Sequence, residues 1–178
     1  EEKAFISCKT LQNINIPNSI ITIKESAFEY CIALERINLP INLKVIEKDV
    51  FHYCSSLQSI TIPNSVVRID ANAFYGCRSL QNINIPNCVG VIESNAFAHC
   101  TALESIEIGR AIFEHNAFYG CHSLHSINVI DNNPYFTSID GVLFNKDITT
   151  IIKFPGKKDV KKYIIPNSVT TIECYAFN

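Results

Sequence analysis

Cys121, His122 and His125 are residues of the types that bind zinc, brought together within five positions. A thiolate and two imidazoles suit that metal, but a closed zinc site takes about four ligands. No second cluster stands at a spacing to complete the set, so no metal is expected. A cationic group follows: Lys146, Lys153, Lys157, Lys158, Lys161 and Lys162 supply six of the fifteen basic residues. They either solvate a loop and keep its edge from pairing, or attract an anionic partner such as a glycan or an acidic protein patch. Glutamates follow Ile46, Ile92 and Phe113, as Glu47, Glu93 and Glu114, in a row rather than a converging pair. A solvated acidic stripe is the expectation for such a row. Serines and histidines are dispersed, and six glycines are too scattered for a phosphate loop. No catalytic residue and no cofactor is therefore expected.

The elements that place these residues follow from one template. Phe5, Phe28, Phe51, Phe74, Phe97 and Phe118 are spaced by 23 residues, the last by 21. A cysteine follows each at three (Cys8, Cys31, Cys54, Cys77, Cys100, Cys121), a leucine at six and an isoleucine at nine. A second aliphatic comes at eleven, often with proline after it (Pro17, Pro40, Pro63, Pro86). A fixed period in the twenties implies a solenoid, whose functional surface is long and repeated.

Within one unit, Ile83, Asn84 and Ile85 alternate as a half-buried strand does. Pro86 lacks an N–H and ends the ladder, and Pro86-Asn87 makes a turn. The pair Val89 and Ile92 forms a short extended return. Ser26, Asp49, Asn72, Asn95 and Asn116 stand two residues before their phenylalanines. They are expected to N-cap a short helical turn that carries Phe and Cys on one face. Segments 12–16, 35–39, 58–62, 81–85, 104–108 and 125–129 are expected as adjacent parallel strands of one sheet.

The run Ala-Phe-x-x-Cys-x-x-Leu-x-x-Ile-x-Ile-Pro-x-Ser-Val-x-x-Ile resembles the Treponema pallidum type, or BspA-like, leucine-rich repeat. Ala73-Phe74, Cys77, Leu80, Ile83, Ile85-Pro86 and Pro63-Asn64-Ser65-Val66 carry the likeness, which covers essentially the whole chain. The resemblance implies a leucine-rich repeat solenoid: a parallel β-sheet on the concave face, with short helical turns and short extended segments on the other side. That family often has glycine after the last isoleucine, where this chain has Lys24, Glu47, Asp70, Glu93, Glu114 and Glu173.

One elongated domain is expected over 1–178, taken as part of a longer array. Regular repeats cover 1–129, irregular repeats with a β-hairpin cover 130–165, and 166–178 returns to the template. The hairpin is placed at Gly141–Asp147 with Thr149–Ile152, and Phe154-Pro155 and Ile165-Pro166 are taken as two further strand ends. The six cysteines in register fit a column of buried thiols better than disulfides. Stacked strands lie about 4.8 Å apart, whereas the Cβ atoms of a disulfide are about 3.5–4.5 Å apart. Cys88 and Cys174 are expected at the surface, and the redox compartment stays open.

Outward residues of the strands form two columns, expected on the concave face. One is Asn13, Arg36, Ser59, Asn82, Ser105 and Ser126; the other is Asn15, Asn38, Thr61, Asn84, Glu107 and Asn128. Such short polar groups can hydrogen-bond along the column, or let an extended protein partner lie close. Near-neutral charge does not imply nucleic acid, and no apolar run of about 18 residues spans a membrane. The resemblance implies a non-catalytic binding module of a microbial cell-surface or secreted protein, with a host matrix or cell-surface protein as partner. An intracellular scaffold, or a targeting array attached to an enzyme, are the alternatives.

Overall fold

The computed structural model describes residues 2–114 and 116–177. The chain is a parallel-strand β-solenoid. Its strand face carries β1 (Asn13–Asn15), β2 (Arg36–Asn38), β5 (Asn82–Asn84), β7 (Ser105–Ile108) and β9 (Ser126–Val129). The return side carries β3 (Val45–Ile46), β4 (Arg68–Ile69), β6 (Val91–Ile92) and β8 (Ile112–Phe113), all parallel and in one sheet. Pairing joins equivalent template positions, as in Ile83 with Ile106 and Ile69 with Ile92. A shift of one residue would turn every isoleucine outward, so the alternating pattern holds the register.

The strand face is not the single sheet expected. β1–β2 and β5–β7–β9 are separate sheets, and 58–62 between them forms only one bridge, Ser59 to Asn82. Continuity survives at the strand entry, where Gln58 N donates to Glu35 O and Gln81 N donates to Gln58 O. The proline turns form as expected: Val66 N donates to Pro63 O and Val89 N to Pro86 O.

The helical turns are not found; among the described residues there is no helix. Ser26, Asp49, Asn72, Asn95 and Asn116 have φ of 56–62° and are not N-caps. A second left-handed residue follows each phenylalanine at two: Tyr30, Tyr53, Gly76, His99 and Gly120. In the Phe28, Phe51 and Phe74 turns the amides of these two residues and of the phenylalanine cross to the next repeat. In the Phe28 turn, Ser26 N donates to Lys48 O, Phe28 N to Val50 O and Tyr30 N to His52 O. Intervening amides close tight turns, as Glu29 N does on Ser26 O. Alternate amides thus serve the neighbouring repeat, and none are left for a run of helical bonds. Asn and Asp suit the first left-handed site because they tolerate positive φ best after glycine.

The core is a set of columns. Phe28, Phe51, Phe74 and Phe97 are buried, and rings from Phe5 to Phe118 stack at 5.1–6.0 Å between neighbours. Beside them, Cys31, Cys54, Cys77, Cys100 and Cys121 are buried free thiols. They do more than fill space. Each Sγ donates to the carbonyl of the phenylalanine in the preceding repeat, as Cys77 does to Phe51 O at 3.2 Å. That oxygen also accepts Cys54 N, so the thiol uses its second lone pair.

Beyond Val129 the expected hairpin is present as part of a larger unit. β10 (Phe136–Ile139), β11 (Val142–Asn145) and β12 (Thr150–Lys153) form an antiparallel meander, and β13 (Thr171–Ile172) pairs parallel with β12. Asp140 and Gly141, at φ 51° and 76°, make the first tight turn. There the glycine is also needed for space: a Cβ would sit 2.9 Å from Ser126 Cβ. Asn133 is 1% exposed and organises the entry loop, accepting from Tyr135 N and Phe136 N while donating to Gly109 O. No strand precedes Ile165-Pro166, contrary to expectation.

Candidate functional site

All twelve predicted strand-face residues lie outward. Ser105 and Ser126 are half-buried and the other ten are exposed. Register brings each column into line: Asn13 opposite Arg36, Asn82 opposite Ser105, Ser105 opposite Ser126, and Asn84 opposite Glu107 opposite Asn128. The hydrogen bonds along the columns that would make them purely structural are not formed. Among the described residues, none of these twelve side chains makes a hydrogen bond or an ion pair. The face is therefore a run of accessible donors and acceptors on a buried apolar support of Ile37, Ile60, Ile83, Ile106 and Ile127.

The basic loop is not brought together as expected. Lys153 belongs to β12 and is only 6% exposed, its Nζ donating to Tyr175 O at 3.2 Å. Burial holds its pKa below the ordinary lysine value. Lys157, Lys161 and Lys162 are exposed, and Lys158 is half-buried with its Nζ on Asp140 O. Lys153 lost its place in the cluster because the β12 alternation points Ile151 and Lys153 to the same, inner side.

The acidic row is structural rather than simply solvated. Glu47 accepts from Glu25 N at 3.0 Å and from Lys24 Nζ at 3.2 Å, and Glu93 accepts from Ala71 N at 3.1 Å. These carboxylates stand where the resembled repeat has glycine, and each closes a backbone donor of the preceding turn. Cys121 donates its thiol to Phe97 O, whereas His122 and His125 are exposed. Among the described residues no three His, Cys, Asp or Glu side chains are grouped to hold a metal ion.

Sequence reasoning missed an aromatic ladder on the turn side. Tyr30 stacks on Tyr53 at 5.3 Å, and Tyr53, Tyr75, His99, Tyr119 and Tyr175 continue it edge-to-face at 5.1–5.4 Å. His52 joins it and pairs with Glu29 at 3.0 Å. His52 and His99 are thus half-buried parts of this ladder. The signal was an aromatic or histidine one or two places after Phe28, Phe51, Phe74, Phe97 and Phe118. Glycine alternates with it for a steric reason: a Cβ at Gly76 would meet the Tyr53 ring at 2.8 Å, and one at Gly120 the His99 ring at 2.7 Å.

A cleft of about 740 Å³ interrupts the stack beyond the Phe118 turn, lined by residues that include Phe113, Glu114, Phe118, Phe136, Lys153 and Glu173. One turn beside it is shorter than the others. Five residues separate Ile172 from Phe177, as they separate Ile92 from Phe97, but only three separate Ile151 from Phe154. Ile151 pairs with Ile172, and Phe154 N donates to Ala176 O, so both ends of that shorter turn hold the common register.

The architecture has solved relatives. The chain superposes on the pneumococcal vaccine antigen PcpA with a TM-score of 0.83 at 28% identity, covering 94% of this chain and 42% of that one. A leucine-rich cell surface protein from Faecalibacterium prausnitzii gives 0.77 at 28% identity, covering 93% and 45%. The Treponema pallidum leucine-rich repeat protein gives 0.62 at 27%, covering 65% and 57%. The chain thus spans under half the length of the first and second of these. No curated protein sequence matches it. The model of the BspA type leucine-rich repeat region matches residues 1–103 and 44–162, in six copies. With the Phe, Cys and Ile columns in register across those same residues, the chain belongs to the BspA-type leucine-rich repeat family.

Proposed function

We propose that this chain is a non-catalytic protein-binding module of a microbial cell-surface or secreted protein, and that its strand face is the binding surface. The carrying observation is the set of twelve strand-face side chains that are accessible yet make no hydrogen bond among the described residues. Groups held in that way have their hydrogen-bonding capacity available to a partner, while a structural ladder would have used it. The short side chains let an extended segment lie close. The absence of large aromatic anchors on this face points to many modest contacts rather than a tight hot spot. Leucine-rich repeats generally mediate protein binding, and two of the solved relatives are named as a vaccine antigen and a cell surface protein. Both names support an extracellular setting, and a host matrix or cell-surface protein is the partner we infer for it.

The test is binding of the chain to immobilised matrix proteins and to host cells. Replacing Asn38, Thr61 and Asn84 by lysine together should abolish it with the fold retained by circular dichroism. Replacing Lys157, Lys158, Lys161 and Lys162 by serine should leave it intact. Binding that survives the first set, fails with the second and weakens steeply with salt would move the site to the basic loop.

A further inference from the structure

The cleft beyond the Phe118 turn has the chemistry of a missing repeat turn. Each preceding turn presents amides on alternate residues, and the next turn answers with carbonyls on alternate residues. Asn72, Phe74 and Gly76 donate to Ser94, Ala96 and Ala98; Phe97 and His99 donate to Ala117 and Tyr119. The equivalent donors of the last regular turn are the amides of Asn116, Phe118 and Gly120. Among the described residues these three make no such bond. Asn116 and Phe118 line the cleft, and Gly120, which is buried, follows Phe118 at the third donor position. Unmade main-chain bonds of that kind are costly and rare in native proteins.

We propose that this cleft binds a short peptide from a partner protein, whose main-chain carbonyls accept from Asn116, Phe118 and Gly120 as a regular turn would. Three features select a peptide. The donors stand two residues apart, which is the spacing of like-facing carbonyls along a peptide chain and not of the oxygens of one carboxylate. The floor is apolar, with Phe113 and Phe136 stacked at 4.0 Å, and accepts one large side chain. At the rim, the carboxylates of Glu114 and Glu173 outnumber the Lys153 ammonium, which already donates to Tyr175 O. That balance favours a peptide with a basic residue beside its aromatic or aliphatic one. The mode is related to strand addition at a sheet edge, with backbone bonds giving affinity and one pocket giving selectivity. This site is separate from the strand face and does not depend on its role.

The probe is the acetylated, amidated hexapeptide of residues 48–53, because the carbonyls of Lys48, Val50 and His52 answer just such a donor row within the chain. Amide NMR of the 178-residue chain titrated with this probe should show shifts and exchange protection at Asn116, Phe118 and Gly120. A probe carrying Phe51→Asp should not bind. Glu114→Lys with Glu173→Lys should weaken the probe about tenfold, the equivalent of roughly 1.4 kcal/mol. Inserting two residues between Ile152 and Lys153 restores the regular spacing and should abolish binding. Shifts that fall on the strand face, or no shift at Asn116, Phe118 and Gly120 up to millimolar probe, would overturn the proposal. So would undiminished binding by a folded insertion variant. Should that variant not fold, the three amides in the unaltered chain decide the matter.

Discussion

Phe74→Ala tests whether the phenylalanine column carries the stability of the solenoid. Phe74 is fully buried and stacks on two rings, Phe51 at 5.3 Å and Phe97 at 5.2 Å. Truncating such a side chain costs about 3–5 kcal/mol through lost transfer energy and the cavity left behind. Phe5 occupies the same template position but is 38% exposed and has a single stacked neighbour, Phe28. Full burial of a phenylalanine contributes about 1.5–3 kcal/mol, so partial burial puts Phe5→Ala near 1–2 kcal/mol. The difference between the two variants is the informative quantity, because it follows from the burial and stacking that neighbouring repeats provide. Urea unfolding read by circular dichroism gives both values; the chain has no tryptophan to report by fluorescence. Double variants sharpen the test. Phe51 and Phe74 touch and should couple by about 0.5–3 kcal/mol, whereas Phe28 and Phe97 do not and should add within about 0.5 kcal/mol. A Phe74→Ala loss below about 1 kcal/mol, or one equal to that of Phe5→Ala, would refute the reasoning.

Thiol labelling of the native chain should modify Cys88 and Cys174 quickly, while Cys31, Cys54, Cys77, Cys100 and Cys121 react only on unfolding; mass spectrometry of timed alkylation distinguishes them. Burial pushes the Cys31 thiol up to about 11 and Cys121 up to about 12. An acid with a raised folded-state pKa loses its proton first in the unfolded chain. Stability should therefore hold below the ordinary thiol range and fall as pH rises from there toward 11. The slope should be at most about 1.4 kcal/mol per pH unit for each such thiol, read from urea midpoints against pH, and shallower in Cys121→Ala. Gly76→Ala should cost about 1–3 kcal/mol through its left-handed backbone and the Tyr53 ring, and Tyr53→Ala in the same chain should recover part of that loss. Asn133→Ala should cost about 2–4 kcal/mol because buried backbone groups lose partners; a loss under about 0.5 kcal/mol by thermal melt would show that water replaces the side chain.

The strands, the proline turns and the buried columns were legible because each rests on a short-period pattern: alternation at Ile83-Asn84-Ile85, and one phenylalanine per repeat. The turn was not. Ser26, Asp49 and Asn72 have the composition of N-caps, and the same side chains suit a left-handed residue equally well. What decides between the two is the next repeat, whose carbonyls claim every second amide. The break at 58–62 was also invisible, since Ser59, Ile60, Thr61 and Ile62 match the template as well as their neighbours. Lys153 was misplaced because a run of lysines suggests a loop, whereas Thr150–Lys153 alternates as a strand. The twelve outward residues could be assigned by alternation alone. That their side chains would be left without partners could not, because column bonding depends on rotamers that the sequence does not state.

Direction explains why the irregular segment opens a cleft instead of closing over the last repeat. From two residues before a phenylalanine to two after it, the amides that cross between repeats run one way, the earlier repeat donating to the later, as Phe51 N does to Ala73 O. At the strand entries the later repeat donates to the earlier, as Glu104 N does to Gln81 O. A repeat interface is complete only when both directions are answered. On the strand side the meander does answer: Ile127 N finds Gly141 O, the hairpin tip standing in for a strand. On the turn side, among the described residues, no carbonyl answers Asn116, Phe118 and Gly120, and the chain from Ile151 to Phe154 is two residues shorter than a regular turn. Sheet closure there is set by a glycine tip and turn closure by loop length, and those two can fail independently. The rings of Phe154 and Phe177 still stack at 5.1 Å past this point, while one donor row is left open at the side of the solenoid.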